Sequence, residues 1–180
     1  MSFSKLSKHK EIAIIASLLT IFITVKEVQL RKLFEHLSNE EYGRIMSRLR
    51  LEGLAYRSPD ARYVASSKYA YQQSNCEEHA LCFDAFLLIK DQLQDFCAGS
   101  FPTLITVATV DCDYDIIPAT KSTIQAVNAA LDDIPDRTVR YLVLDDMTLA
   151  NHLCLRLSND FILCDVAGKG LKAFTQKRSR

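Results

Sequence analysis

Between residues 38 and 64 the chain reads SNEEYGRIMSRLRLEGLAYRSPDARYV, a stretch that admits little besides a helix, a stop and a small β-ribbon. Ser38 followed three residues later by Glu41 is a capping box, in which each side chain takes up the other residue's free backbone N–H. Tyr42, Ile45, Met46 and Leu49 then recur at helical spacing and make one apolar face. Arg44, Ser47, Arg48 and Glu52 fall away from that face. Gly53 is placed to adopt the left-handed conformation that ends a helix. Leu54 to Arg57 and Arg62 to Val64 alternate like short strands around Ser58-Pro59-Asp60, which is turn chemistry.

Upstream, Val28, Leu30, Leu33, Phe34 and Leu37 predict a second amphipathic helix that ends close to the Ser38 cap. Two helices joined so tightly cross at a steep angle. Ile12 to Phe22 predicts a third, more apolar helix. The order helix, helix, helix, hairpin across about residues 7–67 resembles the winged helix-turn-helix domain. The resemblance covers a little over a third of the chain and rests on architecture. It implies double-stranded DNA as the partner. Arg44, Ser47 and Arg48 would enter the major groove, and Arg57 and Arg62 of the hairpin would touch phosphate. The alternative is a small helical domain whose arginines only solvate its surface.

Charge divides the chain in the same place. Net charge is zero overall, yet residues 1–70 carry 12 Lys/Arg against 7 Asp/Glu, and residues 71–180 carry 10 against 15. A basic module beside an acidic one suits DNA binding by the first only, because phosphate neutralisation drives nonspecific affinity. The expectation is therefore an α+β chain: a DNA-binding domain over 1–70 and an α/β domain over 71–180. Ile12 to Val25, preceded by Lys5, Lys8 and Lys10, has the look of a signal peptide, but no small-x-small cleavage site follows. The run is also too short to span a bilayer. It predicts a buried first helix in a cytoplasmic protein. Its apolar residues exceed one face of a small domain, so they predict contact with the second domain or with a twin subunit in a homodimer.

In the second half, residues 68–75 read as a polar connector and 77–96 as a long helix buried through Leu81, Ala85, Leu88, Ile89 and Phe96. Thr103 to Val110 and Asp113 to Ile117 predict strands, Ser122 to Leu131 a helix ended by Ile134-Pro135-Asp136, and Arg140 to Leu144 a strand. Thr148 to Leu155 predicts a helix, Phe161 to Val166 a strand, and residues 177–180 a frayed basic tail. This amounts to a sheet of about four strands with helices against it. The order resembles the restriction-endonuclease-like core, with one helix inserted before the third strand. That resemblance implies an acid on the second strand, matched by Asp115, and acids on the third, matched by Asp145 and Asp146, around a divalent metal. The family's lysine is missing, because Met147 follows Asp146. A winged helix joined to a degenerate nuclease-like domain is similar to replication-relaxation proteins of plasmids and conjugative elements. That likeness implies transcriptional control or an accessory role at an origin or transfer site. A metal-dependent nuclease using Asp115 with Asp145 or Asp146 is the alternative.

The six cysteines include no CxxC pair and read as reduced, apolar packing residues, with Cys97 and Cys154 in helical patterns and Cys164 in a strand. Cys76 with His79, and His152 with Cys154, have ligand-like spacing, so a four-ligand metal site is a subsidiary reading. Five glycines form neither a GxGxxG nor a GxxxxGK[ST] loop, and no GxSxG elbow occurs. No cofactor is expected. A small-molecule effector stays open, since winged-helix repressors often carry an α/β effector domain.

Overall fold

A computed structural model describes residues 8–131, 138–155, 159–165 and 168–174. The chain divides into two compact units, residues 1–83 and 84–180. The first begins with helix α1 (Lys8–Phe22) and a short strand β1 (Thr24–Lys26). Helices α2 (Glu27–Leu33) and α3 (Asn39–Leu51) follow, then strands β2 (Tyr56–Arg57) and β3 (Tyr63–Ala65). The three strands form an antiparallel sheet in the order β1-β3-β2. A short helix α4 (Lys68–Gln73) and helix α5 (Cys76–Leu88) come next, and the division between units falls inside α5.

The core of the first unit is the α1 stripe of Ile15, Leu18, Leu19 and Phe22, all fully buried with Val25, Leu30, Phe34, Leu49 and Val64. Phe83 of α5 meets Phe22 edge-on at 4.9 Å. Gln29 is the polar pin of this core: its Oε1 accepts from the Lys26 N–H at 2.9 Å and its Nε2 donates to the Ala80 carbonyl at 2.7 Å. Both ends of its amide are thus satisfied in the interior, which a buried polar group requires.

The second unit continues from α5 through one 3₁₀ turn (Lys90–Gln92) into β4 (Leu93–Ala98), β5 (Ile105–Thr109) and β6 (Asp113–Ala119). Helix α6 (Ile124–Leu131) precedes β7 (Thr138–Leu144). A 3₁₀ segment (Met147–His152) then leads to β8 (Asp160–Asp165) and β9 (Leu171–Phe174). The strands make one six-stranded sheet in sequence order; β6-β7 and β7-β8 are parallel and the other pairs antiparallel. Parallel neighbours need a crossover, and α6 supplies it between β6 and β7. Val127 and Leu131 of α6 pack with Leu149 and Leu153 on one face of the sheet, over Ile117, Leu142 and Ile162. Register puts Phe96, Val107 and Tyr114 on the opposite face, where Phe86 of α5 lies edge-on to Phe96.

Several expectations need correction. The large sheet has six strands, not about four. The helix expected to 96 stops at Leu88, because Leu93 to Ala98 is needed as an edge strand pairing with β5. Leu88 itself is exposed, while Phe83 and Phe86 carry the packing. The second helix ends at Leu33 rather than Leu37, and Val28 points outward. Residues 68–73 form a helix rather than a connector, and the helix expected at 148–155 is a 3₁₀ segment. Cys97 lies on β4 and Cys154 beyond the 3₁₀ segment, both exposed; only Cys82 and Cys164 are buried as apolar filling. The Ile134-Pro135-Asp136 stop, Val166 and residues 177–180 lie outside the described residues.

The parallel strands are locked by one ion pair. Arg140 of β7 and Asp160 of β8 are register partners, joined Nε to Oδ1 at 2.7 Å and by the terminal nitrogen to Oδ2 at 3.2 Å. Nη1 of Arg140 donates to the Leu131 carbonyl at 3.0 Å, closing the end of α6 onto the sheet. Both side chains are almost wholly buried. Removing one partner strands a charge, which costs about 3–5 kcal/mol, whereas apolar replacement of both is near neutral. Asp160→Ala should therefore lower unfolding free energy in urea by about 3–5 kcal/mol. The double variant Arg140→Met with Asp160→Leu should recover most of that loss.

Candidate nucleic-acid interface

Helix α3 starts as the sequence predicts. The Ser38 N–H donates to Glu41 Oε2 at 3.1 Å, and the Glu41 N–H donates to Ser38 Oγ at 3.2 Å. Tyr42, Ile45, Met46 and Leu49 are buried and Arg44, Ser47 and Arg48 are exposed. Gly53, at φ 73°, turns the chain back, so that the Leu54 N–H reaches the Leu49 carbonyl at 2.8 Å. The outward arginines are not bare. Arg44 pairs with Glu40 at 3.1 Å and Arg48 with Glu52 at 2.7 Å, each one turn away along the helix. Arg50 reaches Ser47 Oγ at 3.3 Å.

What aims this helix is a residue that no sequence pattern singles out. Arg31, at the end of α2, donates to the Phe34 carbonyl at 2.6 Å, the Leu37 carbonyl at 2.7 Å and Asn39 Oδ1 at 3.2 Å. Its guanidinium also lies over the Tyr42 ring at 5.3 Å. It therefore adds a donor to the Phe34 carbonyl, which also accepts from the Leu37 N–H at 3.1 Å, meets the Leu37 carbonyl and holds the first residue of α3. The role has no local signature, because the carbonyls become neighbours only once the turn exists. Burial, then the carboxylate of Glu27, pushes the Tyr42 hydroxyl well above its ordinary range, so it stays protonated.

The hairpin between β2 and β3 is built from Ser58 and Asp60. The Ser58 hydroxyl donates to Asp60 Oδ1 at 2.6 Å and accepts from the Tyr63 N–H at 3.0 Å, and the Arg62 N–H donates to the same Asp60 oxygen at 3.1 Å. The Ser58 bond first, then the Arg62 N–H, hold the Asp60 carboxyl below its usual range. Arg57 and Arg62 are both exposed. Arg57 lies 3.3 Å from Glu27, and Arg62 lies over the Tyr63 ring at 5.6 Å. Behind the hairpin, Glu77 of α5 accepts from the Tyr63 hydroxyl and pairs with Lys26 of β1 at 2.8 Å. Lys26 first, then Tyr63, lower the Glu77 carboxyl, while burial and Glu77 push the Tyr63 hydroxyl up to about 12.

The other candidate residues are distributed over both units. Asp115 is on β6, the third strand of its unit rather than the second, and is buried. Thr106 and Thr138 donate to its two oxygens at 2.6 and 2.8 Å. Its register partner on β7 is Arg140. Asp145 follows five residues further along the parallel direction, about 16 Å at about 3.3 Å per residue. Asp145 and Asp146 end the fourth strand, where Asp146 caps the 3₁₀ segment by accepting from the Thr148 N–H at 2.8 Å. Cys76 and His79 share α5 in the first unit, and burial lowers the pKa of His79. His152 and Cys154 belong to the second unit and are exposed. Among the described residues no three His, Cys, Asp or Glu are grouped to hold a metal ion. Among them, too, no helix is long and apolar enough to cross a membrane.

Compared with known proteins, the chain matches no family model, no curated protein and no solved structure.

If Arg31 fixes the turn, its loss removes this donor from the Leu37 carbonyl and leaves α3 unanchored. Arg31→Ala should cost about 1.5–3 kcal/mol in chemical denaturation, the range for hydrogen bonds involving a charged group. Arg31→Lys, which keeps the charge but not the fork, should recover less than half.

Proposed function

We propose that the protein is a noncatalytic DNA-binding factor whose first unit is a winged helix-turn-helix. The observation that carries this is the common exposure of Arg44, Ser47 and Arg48 on α3 and of Arg57 and Arg62 on the adjoining hairpin. Support comes from the element order of that unit: helix, strand, helix, helix and two more strands, with β3 between β1 and β2. The strand β1 adds to the likeness, since it gives the hairpin a third strand to rest on. In this reading α3 enters the major groove and the hairpin follows phosphate. The intrahelical pairs of Arg44 and Arg48 do not oppose it. Exposed pairs of this kind hold by only about 0.3–0.5 kcal/mol, less than the roughly 1–3 kcal/mol of a good bidentate base contact.

The second unit favours binding over cleavage. Its order of α5, β4, β5, β6, α6 and β7 is helix, three strands, helix, strand, without the inserted helix expected from the sequence. A nuclease-like scaffold would place its acid and lysine on the third strand. Here Asp115 is followed by Ile116 and Ile117, and its oxygens accept from two threonines. We read it as a scaffold without catalytic chemistry, on a transcriptional regulator or an accessory factor of a mobile element. The factor works in the cytoplasm and binds as a homodimer on two half-sites.

Binding is measured on duplex DNA from the gene's own upstream region. Arg44→Ala with Arg48→Ala should abolish the retarded complex at matched salt. Arg57→Ala with Arg62→Ala should lower affinity for all sequences alike and reduce the salt slope by about 2, one unit for each phosphate no longer neutralised. Unchanged binding by the first variant contradicts the reading.

A further inference from the structure

Beneath α3, against α1, lies a cavity of about 240 Å³. Glu11 of α1 and the pair Arg44 and Arg48 of α3 line it, and Ile12, Leu37 and Ile45 supply its apolar wall. Glu11 is the anomaly: it is 2% exposed, yet among the described residues one of its carboxylate oxygens has no hydrogen-bond partner. The other oxygen lies a long 3.4 Å from His36 Nε2. A buried carboxylate oxygen without a donor is costly. The nearby cations do not relieve it, because Arg44 and Arg48 are turned to Glu40 and Glu52. Glu41, the remaining acid of the lining, is engaged by the N–H and hydroxyl of Ser38.

We propose that this cavity binds a small α-amino acid with an apolar side chain. Its ammonium donates to Glu11, its carboxylate meets Arg44 and Arg48, and its side chain lies on Ile12, Leu37 and Ile45. The donor set excludes the simpler ligands. A lone anion would face the buried Glu11 charge, and a lone cation would lie against two guanidinium groups of its own sign. The volume of about 240 Å³ leaves room for a small molecule of this kind.

A ligand that draws Arg44 and Arg48 inward removes them from the groove, a regulatory effect that rests on the proposed DNA reading. The binding itself does not depend on that reading.

The test is titration of the full chain, followed by methyl NMR of isoleucine and leucine, with three probes. L-Leucine carries both charges, isoamylamine lacks the carboxylate and 4-methylpentanoate lacks the ammonium. Leucine should shift the Ile12, Leu37 and Ile45 methyls and bind about tenfold or more tightly than either fragment. Glu11→Gln should weaken leucine and isoamylamine and spare 4-methylpentanoate; Arg44→Ala with Arg48→Ala should weaken leucine and 4-methylpentanoate and spare isoamylamine. Glu11→Gln removes a buried charge at constant shape, and its thermal transition should stay at or above that of the parent. Absence of binding by all three probes at about 10 mM overturns the proposal. So does isoamylamine binding as tightly as leucine, or leucine binding unaffected by Glu11→Gln. Leucine binding in a chain that does not retard DNA supports the cavity and sinks only the DNA reading.

Discussion

The guanidinium of Arg31 grips the Phe34 and Leu37 carbonyls and the side chain of Asn39, and what the first unit presents outward depends on that grip. A turn between two helices leaves free carbonyls behind one and free N–H groups ahead of the other. Here the two ends are met by different means. Arg31 donates to the Phe34 and Leu37 carbonyls of the turn, and the reciprocal bonds of Ser38 and Glu41 answer N–H groups at the start of α3. These bonds hold the turn, and the apolar side of α3 is buried with the α1 stripe. The exposure of Arg44, Ser47 and Arg48 follows from that burial, since the two sets share one helical period.

A comparable economy holds the second unit. A parallel strand pair must place register partners side by side, and Arg140 with Asp160 turns that requirement into a buried, doubly bonded ion pair. Asp115 on the neighbouring strand is satisfied differently, by hydroxyls rather than by a cation. Two buried acids on one face are thus met by different partners.

Local signals are legible in this sequence, and pairings between distant segments are not. The Ser38 cap, the Gly53 stop and the Ser58 to Arg62 turn depend on neighbours within a few residues, and each is found where those neighbours predict. The strand β1 leaves no local trace because its three residues are held by Tyr63 to Ala65, far along the chain. The strand β4 reads as helix because Phe96 fits the helical spacing, while its pairing with Val107 outweighs that fit. Asp115 reads as open because two of its partners, Thr106 and Thr138, come from other strands. Glu11 does carry a signal: a lone acid at the head of an apolar helix needs either a solvent path or a partner.

The central claim is that α3 and its hairpin form the DNA-contacting surface. The most direct measurement is a map of backbone amide NMR shifts in the full chain on adding saturating duplex DNA. Shifts concentrated over residues 38–64, with residues 113–146 unmoved, are the predicted result. Shifts confined to the second unit, or none at saturating DNA, would contradict it.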